Sequence, residues 1–217
     1  MSTTKDIREA VEAELDFDPL IDASDISVKN INGDVALNGT VPSYPQYLEA
    51  AAAAQRVAGV TDVHNHLAVV LPDGDYRDDA MLTTAANNAL ALNITVPDSV
   101  EASASDGNIW LTGSVGYGYQ RDAAEAAVSG LTGVRNVSDD IEVRSFEETS
   151  DATKRVQRAL DRYGLFDDDS DITVSAADGT IALSGHVETW AEHDAVVDAA
   201  WRSLGVSDVQ DDLLITG

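Results

Sequence analysis

Apolar residues fall along this chain in two rhythms, and the order of those rhythms repeats three times. A stripe at helical spacing comes first, as Ile7, Ala10, Val11 and Leu15. Segments with alternate residues apolar follow, around Ile26 and Val28, then Val35 and Leu37. A second helical stripe, Ala50, Ala53, Ala54 and Val57, precedes a last strand-like segment carrying Val63, Leu67 and Val69. The second copy opens with Leu82, Ala86, Ala89 and Leu90, has a weak first strand (100–104), and continues with Ile109 and Leu111. It closes with Ala124, Ala127, Val128 and Leu131, then Val137, Ile141 and Val143. The third runs Val156, Ala159, Leu160, Tyr163; Ile172, Val174; Ile181, Leu183; Val196, Ala199, Ala200, Leu204; Val209, Leu213, Ile215. The pattern predicts an α+β protein of three tandem αββαβ domains. Each is a three-stranded sheet with two helices on one face.

Glycines keep the same register. Gly33, Gly39 and Gly59 recur as Gly107, Gly113 and Gly133, then as Gly179, Gly185 and Gly205, with internal spacings of 6 and 20 residues in every copy. Asn32-Gly33, Asp106-Gly107 and Asp178-Gly179 are the residue pairs that a type I′ hairpin turn requires. The second glycine of each set predicts a bend or a close backbone approach. The third sits where a helix C-cap takes a left-handed residue. Domains are expected at 1–71, 78–144 and 150–217, joined by short polar linkers at 72–75 and 146–150.

An opening helix, a strand, Asn/Asp-Gly, V-x-L-x-G-x-V, an alanine-rich helix, G-V-x-x-V and a closing apolar strand: this succession resembles the BON domain. Copy one, with Asp18-Pro19 before Ile26, matches most fully, and copies two and three lack that pair. The resemblance implies a binding module of the kind found in osmotic-stress, lipid-associated envelope and potassium-sensing proteins. It implies no shared catalytic residues.

Charge changes the picture next. Thirty-nine acidic residues face thirteen basic ones, for a net charge of −26. Such self-repulsion weakens a small core in ordinary cytoplasm, whereas in molar salt the Debye length shrinks to about 3 Å. With acidic residues spread along the chain and only three lysines, the composition suits a salt-in halophile such as a halophilic archaeon. A chain this acidic is not expected to bind nucleic acid, and an anionic membrane is disfavoured. There is no cysteine, and the N-terminal residues carry no apolar leader segment, so the chain reads as cytoplasmic.

The polar constellations read as ordinary surface. His64 and His66 share a strand face and could hold a zinc or copper edge, but the other copies place Ser138, Asp140, Gln210 and Asp212 there. Asp167, Asp169 and Asp171 mimic the start of a calcium loop, yet Ile172 occupies the place where that loop needs glycine. Gly116-Tyr117-Gly118 lacks the lysine of a phosphate loop, and His186 and His193 have no nucleophile beside them in sequence. No catalytic, cofactor or metal residues are assigned, and no enzyme is expected. The aromatics stand out instead. Alternation sends Trp110 to the open sheet face, while Trp190, Val197 and Trp201 add an apolar stripe to a helix of copy three. These four are the candidate contact surface, for another copy, another chain or a protein partner. Protein binding or self-association is the leading expectation. A potassium ion held by backbone carbonyls is the alternative, and lipid-surface binding a second one.

Overall fold

The computed structural model describes residues 4–144, 152–163, 172–177, 179–203 and 206–216. Unit one comprises α1 (Thr4–Phe17), β1 (Ile26–Ile31), β2 (Asp34–Val41), α2 (Tyr44–Gln55) and β3 (Asp62–Val69). Unit two has α3 (Asp79–Leu92), β4 (Glu101–Ser105), β5 (Asn108–Val115), α4 (Gly118–Ser129) and β6 (Asn136–Val143). Unit three has α5 (Ala152–Tyr163), β7 (Thr173–Ala177), β8 (Thr180–Val187), α6 (Trp190–Trp201) and β9 (Asp208–Ile215). In every sheet the second strand is central. It pairs antiparallel with the first across a tight turn and parallel with the third, which the chain reaches through the second helix.

Burial follows the two rhythms. Val35, Leu37, Ile109, Leu111, Ile181 and Leu183 on the central strands are all fully buried. Ile7, Val11 and Leu15 of α1, and Leu82, Ala86 and Leu90 of α3, cover them from the helical layer. The buried stripe runs at i, i+4 and i+8, which leaves Ala10 exposed and Ala89 half-buried at its edge. The second helices contribute Ala50, Ala53 and Ala54 in unit one and Ala199 and Ala200 in unit three. Such small residues let these helices lie close to the sheet.

The hairpin turns have the expected hand: φ is 57° and 98° at Asn32 and Gly33, and 51° and 80° at Asp106 and Gly107. Asp178 lies outside the described residues. A Cβ placed on Gly39 would stand 1.9 Å from the Asp25 carbonyl oxygen, and on Gly113 2.1 Å from that of Ser99. These are the close approaches that the strand glycine permits. The helix-cap expectation for the third glycine is corrected. α2 closes with Arg56 and α4 with Gly130 in the cap position, so Gly59 (φ 88°) and Gly133 (φ 102°) lie further on, in the loop. There they bring the loop onto the hairpin turn, where the Gly33 carbonyl accepts from the Thr61 N–H at 2.8 Å and the Gly107 carbonyl from Arg135 at 2.8 Å. Gly179 accepts from Ser207 in the same way, at 2.8 Å. Gly205 lies outside the described residues.

Candidate functional site

The three second helices carry the contacts between units. Tyr44, at the start of α2, is 4% exposed because it is buried with the core of unit two, and Tyr47 and Val69 pack beside it. Burial pushes the Tyr44 phenol above its ordinary pKa, and the neighbouring Glu125 carboxylate of α4 adds to the effect. Burial likewise raises Glu125 and Asp139, with further carboxylates close to each. Trp201 of α6 belongs to two cores at once, those of units two and three. Its indole lies on Gly118, the repeat equivalent of Tyr44, and the Arg121 guanidinium sits 4.2 Å from the ring centroid. A Cβ on Gly118 would stand 2.5 Å from Trp201 Cε3. The missing side chain of one unit therefore makes room for the ring of the next.

The four residues singled out from sequence separate into different settings. Trp201 is held between units, and Val197 beside it lines a cleft shared with Arg121, Asp122 and Asp198. Trp190 is half-buried, edge-on to His193 with centroids 5.1 Å apart; its Nε1 is buried without an acceptor among the described residues. Trp110 lies between the fully buried Ile109 and Leu111, points to the opposite face and is 36% exposed. The strand register sets it between Ser103 and Ser138.

The polar candidates are satisfied locally. His193 stands 2.8 Å from Asp211 and 3.1 Å from Asp194. The Gln120 side-chain oxygen accepts from the N–H groups of Gly116 and Tyr117, the donors an anion would need there. His64 Nε2 pairs with Asp34 at 3.2 Å and Asp62 at 3.3 Å, and its ring stacks on His66. Among the described residues, Asp34, Asp62 and His64, all exposed, form a donor set close enough to take a cation. The 167–171 run lies outside the described residues.

Arg155, Arg158 and Arg162 of α5 line a cleft of about 320 Å³ with Arg202 of the α6 cap, Ala159, Ala199 and Ser203. The spacing of the three α5 arginines was readable as one helix face, but a net charge of −26 hides a local basic patch. No helix among the described residues is long and apolar enough to cross a membrane.

The profile described as BON domain matches residues 3–70, 78–145 and 148–217. Osmotically-inducible protein Y of Escherichia coli (strain K12) is 33% identical over 129 residues, 57% of this chain. The match spans 64% of that protein, just under two thirds of its length. Among solved structures, the C-terminal domain of CdsD, a structural protein of the type III secretion system of Chlamydia trachomatis, aligns over 98% of both chains at 15% identity and a TM-score of 0.27. The PrgH periplasmic domain aligns over 88% of this chain and 95% of its own at 10% identity and a TM-score of 0.23. Likenesses that low carry no functional comparison.

Proposed function

Because this chain belongs to the BON domain family, as three copies in tandem, we propose that it is a non-enzymatic scaffold of osmotic-stress physiology, acting through protein–protein contacts. The stress setting is supported by the family and by the similarity to an osmotically-inducible protein. The cytoplasm of a halophile is the setting its charge fits. The contact role rests on one observation above the others, the exposed indole of Trp110. Tyr44 and Trp201 are spent on joining the units, whereas Trp110 occupies a sheet face that carries no helix. An exposed tryptophan between two serines on an otherwise carboxylate-rich surface is the kind of anchor that partner proteins bury.

The test is genetic. A strain lacking the protein is expected to recover slowly from osmotic upshift, with rescue by the wild-type chain and not by Trp110→Asp at equal abundance. Full rescue by Trp110→Asp would remove the proposed contact.

A further inference from the structure

We propose that the cleft between α5 and α6 is a binding site for a small phosphoryl-bearing anion. The chain has ten arginines among 217 residues, and four of them line this one cleft. The opening helices of the other units are different: α1 carries Lys5 and one arginine, Arg8, engaged by Glu12 at 2.7 Å, and α3 carries no basic residue.

Unit one shows what the same place looks like when its charges are balanced from within. Arg56 is the repeat equivalent of Arg202, at the cap of the second helix. It is met by three carboxylates: Glu14 of α1 at 3.0 Å, Asp18 after α1 at 2.7 Å and Glu49 of α2 at 2.8 Å. In unit three Arg202 pairs with Asp198 at 2.7 Å, and among the described residues of the opening helix Arg155, Arg158 and Arg162 line the space. An external anion can add to the single carboxylate that Arg202 meets here, Asp198, as Glu14, Asp18 and Glu49 together do for Arg56 in unit one.

A second observation points the same way. Ser203 is 8% exposed, lines the cleft, and its buried Oγ has no hydrogen-bond partner among the described residues. A buried hydroxyl without a partner costs stability, and a bound oxygen acceptor would satisfy it. Guanidinium forks match the tetrahedral oxygens of phosphate in a bidentate manner. Several forks around one space favour a dianion with at least three free oxygens over a lone carboxylate. The cleft volume leaves room for a small organic body beside the phosphoryl group.

The whole chain in molar KCl would be titrated by calorimetry with inorganic phosphate, with glycerol phosphate and with vesicles of phosphatidylglycerol. Saturable binding of either soluble probe is expected, weakened about tenfold or more in Arg158→Gln/Arg162→Gln and unchanged in Arg8→Gln. Both cleft positions are exposed, so the double variant should keep the wild-type circular dichroism. Binding to vesicles alone would place the phosphate source in a lipid surface and overturn the solute site. Heat with neither soluble probe, or equal affinity in the double variant, would also overturn it.

Discussion

Adding one methyl group at Gly118 tests whether units two and three are joined through Trp201. The new Cβ would lie 2.5 Å from Cε3, 3.0 Å from Cδ2 and 3.4 Å from Cβ of that tryptophan. Carbon atoms pack best at about 3.5–4.0 Å, so the indole must withdraw by about 1 Å. Overpacking of this kind costs about 1–3 kcal/mol. Against it stands the gain of replacing glycine in a helix, at most about 1 kcal/mol and smaller in the first turn. Withdrawal also loosens the Arg121 stack, for a further 0.5–1 kcal/mol or so. The clash wins, and Gly118→Ala should be less stable by about 1–3 kcal/mol, or several degrees in Tm. Gly130→Ala is the control, because nothing lies within 4 Å of a Cβ there. Melting would be followed in molar KCl, with Trp110→Phe and Trp190→Phe in the background so that emission reports Trp201. A Gly118→Ala protein as stable as its parent, with unshifted emission, would refute the junction.

Other expected outcomes follow from the same structure. Transfer from molar to millimolar KCl should unfold the chain by circular dichroism, since −26 of charge is then unscreened; identical spectra would count against the halophile reading. Gly107→Val forces a β-branched residue to φ 80° and should cost about 1–3 kcal/mol in denaturant melts. Burial raises the pKa of Glu125, so its contribution to stability is full below the ordinary carboxylate range and is lost as pH rises through the elevated value. Glu125→Gln should therefore melt above the wild type at neutral pH, and the gap should close as the solution is acidified.

The repeat, the hairpins and the close approach at Gly39 and Gly113 were readable because each depends on a residue with few alternatives. A type I′ turn or a carbonyl 1.9 Å from a Cβ position admits little but glycine. The place where α2 stops was not readable. A C-cap glycine and a loop glycine make the same demand on φ, so Gly59 alone does not tell one from the other. The partner of Trp201 was hidden for a different reason. Its complement is an absence, the hydrogen of Gly118, and an absence leaves no pattern in a chain. Tyr44 does carry a sequence signal, since it shares a repeat column with Trp190 and Gly118. The α5 arginines were visible one by one, but only the fold brings Arg202 and Ser203 to the same cleft.

If this BON-repeat chain acts by holding other proteins, Trp110 is the anchor whose removal releases them. Quantitative affinity purification from a native cell extract in molar KCl after osmotic upshift, comparing wild type with Trp110→Ser, tests this. A defined set of proteins is expected on the wild type and depleted on the variant, with equal bait and equal bait stability. Identical protein sets on both baits would contradict it.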